Sequence, residues 1–329
     1  MAVHIREQCR DKTVVLGCSG GKDSTACGLF LQEVGIPFTA IFCDTGWEHP
    51  KTYQYLREVL GPLFGGIQWL TPKVEWHKKV RTADGMSAEA AAELATRLET
   101  YAQEFEARLG VPYSAFVRSC LKKGGFPART LRWCTEQLKT EPAAEYIANL
   151  DNPIQIVGIR HEESKARSAM PRTEWDNALD CEVLRPIIDW LLDDVIIIHK
   201  DHGVQPNPLY LSNASRVGCF PCIYSRKAEI ASLDEARIGV IRDLERVVGA
   251  LFEERIRRRG DVPERVGPSF FQDDQKNETG TYTILIDDVV GWARTPTKRE
   301  RFTAPKAQDG CMRWGRCDTG SSDTGMEDP

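Results

Sequence analysis

Residues 14–25, VVLGCSGGKDST, constrain the fold more than any other stretch of the chain. A short apolar run ends in a glycine-rich turn, and an amphipathic pattern starts at Asp23. Glycines allow a sharp turn and a close approach to a ligand, while the first N–H groups of a helix carry the positive end of its dipole. The pattern predicts a strand, a tight turn and a helix N-terminus that binds phosphate. A tight turn without a ligand is the alternative.

Two common phosphate loops do not match this segment. The Walker pattern requires Lys followed by Ser or Thr, but Asp23 follows Lys22. The dinucleotide-binding pattern requires a second glycine where this chain has Ser19. The loop therefore belongs to another class of phosphate site.

The length and composition predict a globular protein with a sizeable core. The chain has 329 residues, of which 41% are hydrophobic, and its net charge is -5. The polar start and the lack of a long apolar run predict a cytoplasmic protein that does not enter a membrane. Residues 318–329 carry four carboxylates and no Lys or Arg, which predicts an acidic flexible tail.

Strand and helix patterns alternate through the first two thirds of the chain. Apolar runs at 38–43, 67–70 and 154–159 are separated by helical periodicity, including a long apolar stripe at 87–109. Such alternation predicts an α/β fold with a doubly wound, mostly parallel sheet and ligands at the carboxyl ends of its strands. We expect an α/β domain at 1–225 and a mainly helical C-terminal region at 226–317.

Eleven cysteines are many for a cytoplasmic chain, and the odd number excludes complete pairing within one molecule. Cys219 and Cys222 form C-F-P-C, and two further cysteines lie upstream, Cys120 in VRSCLKK and Cys134 in RWCTEQLK. This two-plus-two arrangement predicts a metal centre. All-thiolate ligands suit iron–sulfur and zinc equally, and a metal-free turn is the remaining alternative.

Four motifs together resemble one family over residues 13–225. The loop SGGKDS is similar to the pyrophosphate loop of the N-type ATP pyrophosphatases and 3'-phosphoadenylyl-sulfate (PAPS) reductases. The segments DTGWEHPKTY and GIRHEESKAR are similar to the family's D-T-G and G-x-R-x-x-E-S-x-x-R. A fourth segment matches D-W-x-x-x-D-V, N-P-L-Y and G-C-x-x-C. The resemblance implies the adenine nucleotide α-hydrolase-like fold.

The resemblance also implies which residues form the site. The expected nucleotide-binding residues are Ser19, Gly20, Gly21, Lys22, Asp23, Ser24, Asp44, Thr45, Gly46, Arg160 and Arg167. Of these, Lys22, Asp23 and Arg160 are the expected catalytic residues, because they would neutralise phosphate charge or place Mg²⁺ with ATP. For a cluster, [4Fe–4S] with Zn²⁺ as the alternative, the expected ligands are Cys134, Cys219 and Cys222, and Cys120 is the candidate for the fourth.

The chain departs from the adenylyl-sulfate reductases in two ways. Those enzymes have adjacent cysteines where this chain has Cys134 after Trp133, a form that looks more like the branch found in DNA phosphorothioation, mobile elements and CRISPR systems. The chain also lacks the reductases' E-C-G-x-H tail. Cys311 and Cys317 are either incidental, alternative metal ligands, or replacements for the cysteine of that tail.

Two functions follow. One is an enzyme that binds ATP, adenylyl sulfate or PAPS for adenylation or for sulfur transfer and reduction. The other is a reductase-like accessory protein that works through a protein partner in a DNA-modification, defence or CRISPR system. The sequence leaves open nucleic-acid binding by the arginines at 255–259 and the formation of a homo-oligomer.

Overall fold

The computed structural model describes residues 1–76, 86–212, 214, 216–260, 267–271, 273–277, 280–296 and 314. The strands are β1 Thr13–Gly17, β2 Thr39–Cys43, β3 Ile67–Leu70, β4 Pro153–Val157, β5 Thr173–Asp176, β6 Cys181–Leu184, β7 Asp273–Asn277 and β8 Gly280–Ile284. The α-helices of more than three residues in the first half are α1 Ala2–Gln8, α2 Lys22–Glu33, α3 Pro50–Tyr55, α4 Ala88–Leu109, α5 Ala115–Lys123 and α6 Glu141–Ile147. Those of the second half are α7 Leu192–Asp201, α8 Pro208–Leu211, α9 Lys227–Ala231, α10 Glu235–Arg258 and α11 Ile286–Ala293.

The first six strands form one sheet in the order β3-β2-β1-β4-β6-β5. All neighbours are parallel except β5, which pairs antiparallel with β6. Strands β2 and β3 are added in turn on one side of β1, and β4 is then added on its other side. A doubly wound sheet binds ligands where the strand order reverses, so the crevice to search lies beyond β1 and β4. The predicted fold class is confirmed.

Apolar side chains cover both faces of the sheet. On β1, Val14 and Leu16 pack into one core with α1, α2 and α7, and Val15 between them packs on the opposite face. Alternate strand residues point to opposite faces, so an unbroken apolar run is what a strand with two covered faces requires. The sheet thereby holds the loops at its carboxyl edge in fixed positions.

A separate apolar core joins α4, α5 and α10 beside the sheet. The predicted stripe on α4 supplies Leu94, Leu98 and Phe105 to it, and Ser87 caps this helix by accepting a hydrogen bond from the Ala90 N–H at 3.2 Å. The described part of the C-terminal region is mainly helical with one hairpin, β7–β8. Its helices share a core with residues before 225, while the predicted domain boundary itself stays a prediction.

No described helix combines the length and the apolar character needed to span a bilayer.

Candidate nucleotide and cysteine sites

The glycine-rich loop lies after β1 and leads directly into α2. Gly20 has φ +71, and a Cβ there would lie 3.1 Å from the Thr52 side chain, so the turn suits glycine. Ser24 Oγ accepts from the Ser19 N–H at 3.2 Å and donates to the Gly21 carbonyl at 3.0 Å. These bonds fix the loop against the first turn of the helix.

The N-terminus of α2 has no side-chain cap. Gly21 occupies the N-cap position without a side-chain hydrogen bond, and the Lys22 N–H donates to the Tyr210 hydroxyl at 3.3 Å. The first-turn N–H groups of a helix need acceptors, and with the helix dipole they attract anions. The loop therefore places a positive helix end at the crevice between β1 and β4.

Asp23 lies between two cations at this point. Arg160 Nε donates to Asp23 Oδ1 at 2.6 Å, and Lys22 Nζ lies 2.9 Å from Asp23 Oδ2. Arg160 is 3% exposed, and burial alone would lower its pKa, but Asp23 and the carboxylates of its own loop overcome burial and raise it. Arg160 is therefore a permanent cation, and it joins the loop after β4 to the loop after β1.

Gly158 allows these two loops to meet. A Cβ at this position would lie 2.6 Å from the Asp23 carbonyl oxygen and 2.7 Å from Ser24 Cα, both of which are backbone atoms. Only glycine permits this approach. Arg167 belongs to the same loop, where it pairs with Glu163. The Glu163 carboxylate also accepts a hydrogen bond from the backbone N–H of Arg160 at 2.8 Å.

The loop after β2 forms a second polar wall. Asp44 Oδ1 accepts the Gly46 N–H at 2.9 Å and the Tyr53 hydroxyl lies 2.8 Å away. Thr45 Oγ1 donates to Glu48 Oε1 at 2.8 Å, and Glu48 is 4% exposed. Burial, aided by these carboxylates, raises the pKa of Tyr53, so its hydroxyl stays protonated. Gly46 has φ +68 and packs on the Tyr113–Ser114 backbone before α5.

Sequence reasoning did not assign three residues that hold the phosphate loop. Asn207 Nδ2 donates to the Gly20 carbonyl at 3.1 Å, and His199 Nε2 lies 3.0 Å from the Lys22 carbonyl. The Tyr210 ring lies 5.1 Å from Lys22 Nζ. Asn207 and Tyr210 are the first and last residues of the N-P-L-Y motif, which pointed to this segment without giving their roles, whereas nothing local marks His199.

The four predicted metal ligands lie in one neighbourhood. Cys120, Cys134, Cys219 and Cys222 all belong to or pack on the apolar core that joins α4, α5 and α10. Burial raises the pKa of Cys120 well above its usual range, that of Cys134 above its usual range and that of Cys219 to about 12. The charge of Cys134 raises the pKa of Cys120, and the charge of Cys222 raises that of Cys134. Cys120, Cys134 and Cys219 therefore hold their protons more tightly than an exposed thiol does.

Two cations lie beside the cysteines. Cys219 raises the pKa of Lys139, and Glu48 adds a smaller effect in the same direction. Together they outweigh burial, so Lys139 stays charged. Arg237 of α10 is 7% exposed and lies 4.8 Å from the Trp47 ring and 5.2 Å from the Phe220 ring. Its Nη1 is buried without a hydrogen-bond partner, and burial lowers its pKa to about 10.

The cysteine turn is hydrogen-bonded to the loop after β2. Trp47 Nε1 donates to the Pro221 carbonyl at 3.0 Å, and the Phe220 N–H donates to the Trp47 carbonyl at 2.9 Å. Glu48 and Cys219 form an isolated antiparallel bridge. The nucleotide-side loop and the C-F-P-C turn are thus adjacent.

The four cysteines suit a thiolate-bound metal centre by donor type. Within the described ranges, however, no three His, Cys, Asp or Glu side chains converge on a point that could hold an ion. Thiols must lose protons when a metal binds, so a loaded site differs from this arrangement in charge.

The strand order, the glycine-rich loop after β1 and the basic loop after β4 define an α/β protein of the pyrophosphate-loop type. A family model described as "Phosphoadenosine phosphosulfate reductase domain" matches residues 13–84 and 94–225, which is more than half of the chain. The chain belongs to the phosphoadenosine phosphosulfate reductase family.

Several known proteins are similar to this chain. An uncharacterized 37.8 kDa protein of Escherichia phage 186 is 36% identical over 72% of this chain and 75% of its own length. An adenosine 5'-phosphosulfate reductase of Allochromatium vinosum is 33% identical, but over 29% of this chain and 36% of that protein. A PAPS reductase of Candida auris, solved as a phosphate complex, has TM-score 0.43 and 16% identity over 67% of this chain and 87% of that chain.

Proposed function

We propose that the chain is an enzyme that binds an adenine nucleotide by its phosphate or sulfate end, for adenylation or for reductive sulfur transfer. The observation that carries this proposal is the meeting of Lys22, Asp23 and Arg160 at the uncapped start of α2, where the sheet order reverses. A helix start and two cations at a switch point are suited to an oxyanion. Family membership adds the expectation that the nucleotide carries adenine.

The chain's own residues can bind and orient the anionic end. The N–H groups at the start of α2 would donate to it, and Lys22 would add a point charge. Arg160, whose side chain is already paired with Asp23 and Glu162, would add its positive charge to the site. Asp23 holds both cations in place before the ligand arrives. Fixed donors that need no reorganisation stabilise charge that develops on a leaving group.

Two reactions fit this site, and they release different products. As an ATP pyrophosphatase, the enzyme would transfer AMP to an acceptor and release pyrophosphate, with Mg²⁺ placed by Asp23 or Asp44. As a reductase of adenylyl sulfate or PAPS, it would release sulfite and AMP or its 3'-phosphate. The two electrons for sulfite come from two thiols, which become a disulfide. Cys311 and Cys317 are candidates for these thiols, and both lie outside the described residues.

We further propose that Cys120, Cys134, Cys219 and Cys222 hold a [4Fe–4S] cluster, with Zn²⁺ as the alternative. The shared neighbourhood of the four thiols supports this site, and the adjacent Lys139 would offset the negative charge of thiolate ligands. When bound, such a cluster would supply a redox or sulfur centre near the loop after β2. Iron, sulfide and zinc assays after anaerobic purification test this assignment, and a colourless protein that retains zinc contradicts the cluster.

The decisive experiment incubates the metal-replete protein with ATP, adenylyl sulfate and PAPS in parallel, in the presence of a dithiol, and separates the products. We expect binding of at least one nucleotide and its loss in Lys22→Ala. Lys200→Ala is the matched control, because it removes the same charge from an exposed position on α7. Absence of binding by all three nucleotides refutes the site. Binding without AMP, pyrophosphate or sulfite, together with full biological activity of Lys22→Ala, supports an accessory protein that acts through a partner.

A further inference from the structure

A basic cavity of about 430 Å³ lies between α5, α10 and the segment after β3. None of its lining residues belongs to the nucleotide loop or to the four candidate ligands. Six cations and one carboxylate, Glu141, line it, so the formal charge of its wall is +5. The cations are Lys73, Lys122, Lys123, Arg255, Arg258 and Arg259. This local charge is opposite in sign to the net charge of -5 of the whole chain.

The cations are held around the cavity by contacts to neighbouring elements. Arg255 Nη2 donates to the Lys122 carbonyl at 3.3 Å and so joins α10 to the end of α5. Lys123 Nζ lies 5.1 Å from the Trp133 ring centroid, and Lys73 Nζ lies 4.5 Å from that of Tyr113. The arginines come from residues beyond the part of the chain that the family model matches. A concave wall of like charges with a low-dielectric floor concentrates the field and attracts anions.

The floor of the cavity is apolar. It consists of Val74, Leu94, Leu98, Leu121, Leu138 and Leu251. An anionic ligand with apolar surface between its charges fits such a wall better than a free inorganic ion, because it can also cover these side chains.

A second cavity of about 690 Å³ continues from the first. The two share Pro72, Lys73, Lys122, Gln137 and Glu141. The second adds two half-buried aromatic side chains, Trp69 and Tyr146, and carries three carboxylates. Carboxylates disfavour phosphate there, whereas aromatic rings provide faces on which bases stack.

We propose that the two cavities form one groove that binds a single-stranded nucleic acid. The phosphates lie along the cations of the first cavity, and a base reaches the ring of Tyr146 in the second. Trp69 already packs on Tyr53 and Arg57 and forms part of the wall. A basic groove that follows the backbone, combined with aromatic stacking, is how proteins bind single strands without sequence preference. This binding is separate from the proposed nucleotide site.

Binding is measured by fluorescence anisotropy with a labelled oligothymidylate over a series of salt concentrations. The test variant is the double substitution Lys73→Gln and Arg259→Gln, since both side chains are exposed at the rim. The affinity falls with salt, and each lost contact to a single strand makes the slope of log K against log salt less steep by about 0.7. Two lost contacts make it less steep by about 1.4, which corresponds to about 25-fold weaker binding at about 0.1 M salt relative to about 1 M. Lys200→Gln with Arg246→Gln is the control, as it removes the same charge from exposed positions elsewhere.

We expect the control and Lys22→Ala to bind the oligonucleotide as the wild type does. Retention of the wild-type affinity and salt slope by the rim variant overturns the proposal. A groove that binds tripolyphosphate or a polyglutamate peptide as tightly as the oligonucleotide also overturns it, because the site is then a general anion site. A thermal melt of each variant establishes that a loss of binding is not a loss of folding.

Discussion

The burial of the Asp23–Arg160 pair makes the phosphate loop dependent on a charge pair that connects β1 to β4. Asp23→Asn keeps the shape of the side chain but removes its charge. Arg160 is 4% exposed at its side chain, so the guanidinium would lose its main counter-charge in a site from which water is largely excluded. The chain offers a matched control in Asp287→Asn, because Arg242 Nη2 lies at the same 2.6 Å from Asp287 with side chains 51% and 54% exposed.

Both substitutions remove the carboxylate of an Asp–Arg pair, but the Asp23–Arg160 pair is buried and the Asp287–Arg242 pair is exposed. Removing one partner of a buried pair costs about 3–5 kcal/mol, because the remaining charge stays desolvated. Removing one partner of an exposed pair costs about 0–1 kcal/mol, since water replaces the lost contact. We therefore expect Asp23→Asn to lower the free energy of unfolding by about 3 kcal/mol, nearer the lower limit because Asn still accepts a hydrogen bond and Glu162 still contacts Arg160.

Urea unfolding followed by circular dichroism measures both variants under identical conditions. Equal losses in Asp23→Asn and Asp287→Asn would show that the buried pair is no stronger than a surface pair, and the reasoning would fail. Nucleotide titration adds a second readout. If Asp23 only holds the cations, Asp23→Asn binds nucleotide in the absence of Mg²⁺ at least as tightly as the wild type, whereas loss of Mg²⁺-dependent ATP binding indicates a metal ligand.

Three further predictions concern other parts of the fold. Gly158→Ala should lower the free energy of unfolding in urea by about 1–3 kcal/mol and weaken nucleotide binding, because its Cβ meets backbone atoms. Gly291→Ala, whose Cβ points into open space on α11, should raise the free energy of unfolding by about 0.5–1 kcal/mol. Burial raises the pKa of Glu245 to about 7, so stability should fall as pH rises from about 4.5 to about 7, by roughly 3 kcal/mol, and Glu245→Gln should remove this dependence. Arg237→Met should keep or raise the melting temperature, whereas Arg237→Ala should lower stability by roughly 2 kcal/mol, because Met fills the space without a buried charge.

Each of these has an outcome that contradicts it. Equal stability changes for both glycine variants would mean that the loop after β4 moves away without cost. A pH profile that Glu245→Gln leaves unchanged would assign the dependence to another group. A loss of stability in Arg237→Met as large as that in Arg237→Ala would show that the guanidinium itself stabilises the fold.

Local patterns in the sequence were enough to predict the sheet and the position of the phosphate loop. Glycines, a helix start and an apolar strand are all encoded within residues 14–25, so SGGKDST could be placed at the end of β1. The edge strand Thr173–Asp176 was not predicted, because TEWD has neither an apolar run nor a clear alternation. Its existence depends on pairing with β6.

The site was predicted as a set of residues but not as a set of contacts. Arg160 was expected in the site, whereas its pairing with Asp23 spans 137 positions and follows from the strand order alone. Arg237 carried no signal, since an arginine in an amphipathic helix normally faces water. Its burial depends on how α10 packs on Trp47 and Phe220, which sequence periodicity does not specify.

The hydrogen bonds between the loop after β2 and the C-F-P-C turn give the protein a mechanical connection. Trp47 holds the Pro221 carbonyl, and Glu48 is bridged to Cys219. Asp44, three residues before Trp47, shares the Tyr53 hydroxyl with Glu48. A change in the charge or spacing of the cysteines would therefore act on the backbone of the loop after β2, which lies at the edge of the crevice. The two loops therefore do not move independently, because a shift of the C-F-P-C turn must either break these hydrogen bonds or carry the loop after β2 with it.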